Sequence, residues 1–301
     1  MKKTSPVFII GGSRTGSEML KTMLSASEDL DFVDELFLYC PRWLHKDLYS
    51  NIKGLLDNTA NSASVERLLD VLYSGVPYGW FWTNIEEQLD RGMLASELKE
   101  RPLSMHNLFD SVMKVHAKMR NKNGIGAKFP MHFSDSRKLI KWYPNCRLIH
   151  TTRNPKAVYA SQSAKYITGE ESSLVCAYKK FQQFVHVNIQ TWWTARMHQS
   201  LQNNSNYLLV RYEDIIKDPQ LQVTRICQFL DIEFVAEMLE PQQYGSSFTT
   251  IGGDRGIHLS SLEKWRTKIS PFTAMVIDRV HPFAYRMLGY LPDGYKDAER
   301  I

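Results

Sequence analysis

Apolar and polar positions along the chain follow two periods, and the switches between them mark the elements. Val7-Phe-Ile-Ile10 is an apolar run of strand length that ends in a turn of Gly, Ser, Thr and one Arg. Directly after the turn, Met19, Leu20, Met23 and Leu24 fall on one helical face. The same switch recurs at Cys146-Arg-Leu-Ile-His-Thr-Thr152, where Asn154 is a good N-cap and Pro155 suits the first helical position. Strands are expected near 6–11, 125–129, 146–152 and 207–212, with helical stretches between them. Strands alternating with helices imply right-handed crossovers and an α/β fold with a mainly parallel sheet flanked by helices. The clearest helix follows Pro219, with Asp218 as cap and Val223, Ile226, Phe229 and Leu230 on one face. Residues 36–120 carry helix patterns and aromatics but no strand signal, which predicts a mostly helical insertion over the carboxyl edge of the sheet. The Gly/Ser/Thr-rich stretch 245–256 reads as a long loop able to order on a ligand. No Pro/Gly/Ser linker divides residues 1–301, so one domain is expected.

The first turn is suited to an anion. A strand that turns through glycines into a helix presents several backbone N–H groups and a helix N-terminus. It is not a Walker A loop: counting from Gly11, the sixth residue is Gly16, but Ser17-Glu18 stands where Lys-Ser/Thr is required. Nor is it a nucleophile elbow, because Gly16 comes one residue too late for Gly-x-Ser-x-Gly. The second segment adds Arg153 at a strand's carboxyl end, where ligands collect in open α/β sheets. Ser161 lies eight residues on, about two helical turns. A guanidinium fork and a hydroxyl so placed can grip a second phosphate. The plain alternative is an Arg153 paired with a local carboxylate and a solvent-facing Ser161.

Together these segments resemble the sulfotransferases that use 3′-phosphoadenosine 5′-phosphosulfate (PAPS). Arg14-Thr-Gly-Ser17 is similar to their 5′-phosphosulfate loop, and Arg153 with Ser161, in Arg-Asn-Pro-x5-Ser, to their 3′-phosphate motif. Gly126-Ala-Lys-Phe-Pro130 and Trp142–Ile149 resemble the family's Lys-x-Pro segment and third strand. Tyr207–Asp214, Asp218-Pro219, Cys227–Leu230, Arg255-Gly256 and Lys264-Trp-Arg266 follow in family order, so the likeness runs from about Ser5 to Trp265. The resemblance implies a P-loop-like fold, PAPS as donor and adenosine 3′,5′-bisphosphate as product. It implies Arg14, Thr15, Gly16, Ser17, Arg153, Ser161, Tyr212, Arg255 and Gly256 as nucleotide-binding residues. One departure is Glu18, which stands where many relatives have Ser or Thr and which would repel a phosphosulfate unless it is turned away.

Composition narrows the remaining classes. At 43% hydrophobic and 23% charged, the chain is an ordinary globular one, and its net charge of +5 suits a polyanionic donor. It has no Lys/Arg tract of the kind that binds nucleic acid polymers. Met1-Lys-Lys-Thr4 before Val7–Ile10 superficially resembles a signal peptide, but the apolar part is too short and runs directly into the turn, so it reads as a strand; no stretch approaches a membrane span. Cys40, Cys146, Cys176 and Cys227 lack metal or disulfide spacing, which fits a reducing cytoplasm. The nine histidines form no metal motif, so no metal is expected.

Sulfuryl transfer needs in-line geometry and a stabilised leaving oxygen, and fixed cations can replace magnesium. Under the resemblance, Arg14 stabilises the bridging oxygen at the 5′-phosphate. Lys128, near a strand end, reads either as a second cation or as a surface charge. Glu35, in Val33-Asp-Glu-Leu-Phe37, is the implied general base. Asp34 is its nearest rival, and His132 and His106 are further candidates. The acceptor carries a hydroxyl, on a small molecule, glycan, lipid or peptide tyrosine. Tyr78-Gly-Trp-Phe-Trp82 and Trp192-Trp193 are either acceptor-lining aromatics or packing residues. Two rival functions stand beside this one: a magnesium-dependent nucleotide kinase or ATPase, and a nucleotide-binding protein without chemistry.

Overall fold

The computed structural model describes residues 5–34, 36, 48–56, 62–76, 78, 80–129, 136–167, 172–240 and 257–290. Five parallel strands form one sheet: β1 Val7–Gly11, β2 Leu30–Asp34, β3 Gly124–Phe129, β4 Arg147–Thr152 and β5 Tyr207–Arg211. Their order is β2-β3-β1-β4-β5. β1 lies at the centre, with Ile10 level with Phe129 on one side and with His150 on the other. All five of its residues are buried, as an inner parallel strand covered on both faces requires.

Four of these strands stand where the apolar runs predict them, and β2 is an addition. Its sequence, Leu-Asp-Phe-Val-Asp, is five residues long and broken by carboxylates, so no continuous apolar run marks it. As an edge strand it needs pairing on one side only, which it finds on β3. At the other edge β5 stops at Arg211, and Tyr212 instead opens the short helix Tyr212–Lys217.

The helices that matter here are α1 Ser17–Leu24, α2 Ser62–Leu72, α3 Arg91–Lys99, α4 Met105–Met119, α5 Pro155–Tyr166, α6 Ser173–Leu201, α7 Pro219–Leu230, α8 Pro271–Val280 and α9 Pro282–Met287. The predicted caps are formed: Asn154 accepts from Lys156 N and Asp218 from Leu221 N. The helical insertion is present, and α2 to α4 join Phe8, Ile10, Val33 and Ala127 in one core beneath the sheet. Tyr78, Phe81 and Trp82 are buried inside that core, so these aromatics are packing residues. The opposite face carries α1 and α7, with Leu20, Met23 and Leu24 meeting Val223, Ile226 and Cys227.

Candidate functional site

The turn after β1 is shaped by three left-handed or near-forbidden backbone positions. Gly11 (φ 150°) and Gly16 (φ 94°) suit glycine, and Arg14 adopts φ 69° between them. Gly16 caps α1 without a side chain, leaving the helix's first N–H groups facing the turn. A Cβ on Gly16 would stand 2.6 Å from the Tyr212 ring, so only glycine lets that ring close on the loop. Thr15 is buried, donates to Gly12 O at 2.8 Å and lies 2.8 Å from Thr151 Oγ1. Its hydroxyl therefore braces the turn against β4, and Ser17 is left as the hydroxyl at the helix start.

The second anion motif meets the first. Arg14 Nε donates to Ser161 Oγ at 3.1 Å, across 147 residues of sequence. Arg153 lies over the Tyr212 ring at 4.1 Å and donates to Ser261 O, while Tyr212 OH donates to Ser261 Oγ at 2.9 Å. Burial, and then the charge of Arg153, lower the Arg14 pKa from its ordinary value. Two guanidinium groups held this close in a partly dry site call for an anion. Thus Arg14, Thr15, Gly16, Ser17, Arg153, Ser161 and Tyr212 converge at the carboxyl ends of β1 and β4. Arg255 and Gly256 fall outside the described residues, but Trp265, from the same late segment, is buried against Ala157 and Ala160 of α5.

Lys128 is not a surface charge. It is buried at the end of β3 and paired with Glu18 and, at 2.8 Å, with Asp34 Oδ1. Lys21 closes the ring, 2.7 Å from Glu18 and in contact with Asp34. Glu18 is thus turned toward two lysines, which answers the repulsion its position raised. Burial alone would lower the Lys128 pKa, but the two carboxylates outweigh it and hold the pKa above its ordinary value. Burial would likewise raise Asp34, yet Lys128 and Lys21 hold its carboxyl below the usual range. A carboxylate so held is a poor proton acceptor.

This ring carries a pH prediction. Asp34 has a lowered folded pKa, so its stabilisation is present above about pH 3.9 and is lost as pH falls through the folded value. Asp34→Asn should cost roughly 1–3 kcal/mol at pH 7. In thermal melts the gap between variant and wild type should shrink below about pH 3.9. A gap that stays constant from pH 7 to pH 3 would show that the charge of Asp34 contributes nothing.

Two supports escaped the sequence reading. Gln190 of α6 donates to Ser13 O at 3.0 Å and fills the space a Cβ on Gly12 would take. Glu213 accepts from Asn154 N at 2.8 Å and from Tyr290 OH at 3.0 Å, which pins the turn that carries Arg153. Neither belongs to a local pattern, since both contacts join residues far apart in the chain. His106 is stacked on Trp142 and edge-on to Tyr143, which in turn packs on Phe8 near the start of β1. That is the amino end of the sheet, away from Arg14. Glu35 and His132 fall outside the described residues.

The family model described as "Sulfotransferase family" matches residues 6–236. The chain belongs to the sulfotransferase family. This sulfotransferase is 24% identical over 244 residues to "Cytosolic sulfotransferase 10" of Arabidopsis thaliana, covering 73% of each chain. It shares its fold with the "Sulfotransferase Domain from the Curacin Biosynthetic Pathway" (TM-score 0.59, 18% identity, 96% and 98% of the two chains). A sulfotransferase from Alicyclobacillus acidocaldarius gives a TM-score of 0.51 at 12% identity, over 94% of both chains. The protein is therefore an enzyme that moves a sulfuryl group from PAPS to an acceptor hydroxyl. Among the described residues no group of three or more His, Cys, Asp or Glu is placed to hold a metal. No described helix is long and apolar enough to cross a membrane.

Proposed function

We propose that the turn Arg14-Thr15-Gly16-Ser17 holds the 5′-phosphosulfate of PAPS and that Arg153 and Ser161 hold the 3′-phosphate, with Tyr212 walling the pocket. The observation that carries this reading is the 3.1 Å contact of Arg14 Nε with Ser161 Oγ, which makes one anion site of two motifs. The donor set fits the ligand: two guanidinium groups, a serine hydroxyl at a helix start and the first backbone N–H groups of α1, with Glu18 and Asp34 paired to Lys21 and Lys128. Arg14 then stabilises charge on the leaving 5′-phosphate oxygen, and it does so without giving up its proton. Lys128 stands at the same edge as a second cation, but within a ring of two lysines and two carboxylates whose charges balance, so its role is to hold Glu18 and Asp34 in place. Arg255 and Gly256, by their likeness to the family's late nucleotide-binding motif, complete the proposed donor site, which needs no metal.

Glu35 is the proposed general base. With Asp34 held ionised by two lysines, the adjacent glutamate is the remaining carboxylate of that segment. Glu35→Gln should abolish transfer of radiolabelled sulfuryl from PAPS to a panel of hydroxyl acceptors, with affinity for adenosine 3′,5′-bisphosphate almost unchanged. Retained turnover would remove Glu35 from this role. The acceptor is a hydroxyl-bearing small molecule, glycan or lipid. Residues 1–301 act as one catalytic unit, and cysteines without disulfide spacing, together with relatives named cytosolic, favour a cytoplasmic site of action.

A further inference from the structure

Arg14 is held at two ends, and both holds lead back to neighbouring residues of α5. Its guanidinium donates to Ser161 Oγ at 3.1 Å. The peptide in front of it is held through α6, where Gln190 Nε2 donates to Ser13 O at 3.0 Å. Gln162, next to Ser161, stands behind Gln190, with its Nε2 3.5 Å from Gln190 Oε1. His186, one turn before Gln190 on α6, completes the line, its Nδ1 3.2 Å from Gln162 Oε1. Gln162 and Gln190 are both buried, so an amide that lost its protein partner would find little water to replace it.

A carbonyl oxygen only accepts, and that orients the whole line. Gln190 must turn its NH2 to Ser13, which leaves its oxygen toward Gln162. Gln162 must then give its NH2 to Gln190 and its oxygen to His186. The imidazole is left one role: Nδ1 carries the proton and donates. Burial lowers the His186 pKa from its ordinary value, which favours the neutral ring. All three contacts point one way, and hydrogen bonds so aligned polarise one another.

Gly12 belongs to the same arrangement. A Cβ there would stand 2.0 Å from Gln190 Cδ and Nε2, so glycine admits the amide to the carbonyl beyond it. What the amide reaches is the peptide joining Ser13 to Arg14, and Arg14 adopts φ 69°, which L residues rarely do. A backbone position of that kind persists only when its surroundings hold it.

We propose, on the reading that Arg14 stabilises the leaving oxygen, that Gln190, oriented by Gln162 and His186, is a positioning residue for sulfuryl transfer. It locks the Ser13–Arg14 peptide and so places the guanidinium before the nucleotide arrives.

Gln190→Met keeps the volume of the side chain and removes the amide. It should lower kcat about tenfold, the equivalent of one hydrogen bond, and leave affinity for adenosine 3′,5′-bisphosphate unchanged. Gly12→Ala should cost a similar factor in the wild type and nothing further in Gln190→Ala, where its methyl no longer meets the amide. In spectra of protein labelled with nitrogen-15 histidine, the wild-type His186 signal, assigned with His186→Asn, should be that of the Nδ1–H tautomer. Full kcat in Gln190→Met beside a slow Arg14→Ala overturns the lock alone, whereas full kcat in both variants overturns the role of Arg14 with it. Equal loss of kcat and nucleotide affinity, additive losses from Gly12→Ala and Gln190→Ala, or an Nε2–H tautomer at His186 would each overturn the lock.

Discussion

Arg14→Ala should lower turnover on the order of a hundredfold or more, the usual cost of losing a preorganised contact to developing charge. Arg14 occupies a left-handed backbone position, and its guanidinium is aimed by Ser161. The loss should fall mainly on kcat, because the charge it answers is greatest as the bridging oxygen departs. Arg14→Lys should restore part of the rate, since the charge survives but the fork that reaches Ser161 does not. Kinetics with saturating PAPS check this: a variant whose KM rises while kcat holds would make Arg14 a binding group only.

The second large effect is a split in nucleotide affinity. Arg153→Ala should weaken adenosine 3′,5′-bisphosphate binding by about 10- to 150-fold, the equivalent of roughly 1.5–3 kcal/mol for a charge-assisted hydrogen bond. Affinity for 5′-AMP should stay almost unchanged, because only the 3′-phosphate is addressed. Tyr212, against which Arg153 lies, keeps its own bond to Ser261 and so need not collapse in the variant. Equal loss for both nucleotides would show that Arg153 shapes the pocket as a whole.

How much of this was legible depended on whether a feature is local. The turn at 11–17, the Asn154-Pro155 and Asp218-Pro219 helix starts, and four of the five strands are written in contiguous residues, and the structure has them. The fifth strand was hidden because an edge position tolerates Asp31 and Asp34, which break an apolar run. The ion-pair ring was hidden for another reason: Glu18, Lys21, Asp34 and Lys128 come from three elements that meet only when β3 inserts between β1 and β2. Lys128 was legible as a cation at a strand end, yet its burial and its two carboxylate partners were not. Glu18 reads as a repulsive oddity because only Lys21 lies near it in the sequence, and the second lysine that answers it, Lys128, is 110 residues away. Gln190 and Glu213 are ordinary polar residues in helices until tertiary contact gives them the Ser13 carbonyl and the Asn154 amide.

The central claim is one PAPS-type site made from two anion motifs, and calorimetric titration addresses it most directly. The purified protein would be titrated with adenosine 3′,5′-bisphosphate, with 5′-AMP, and with ATP plus magnesium. Strong preference for the bisphosphate, in the presence of a chelator, is the predicted result. Preference for magnesium ATP, with the bisphosphate ignored, would contradict it.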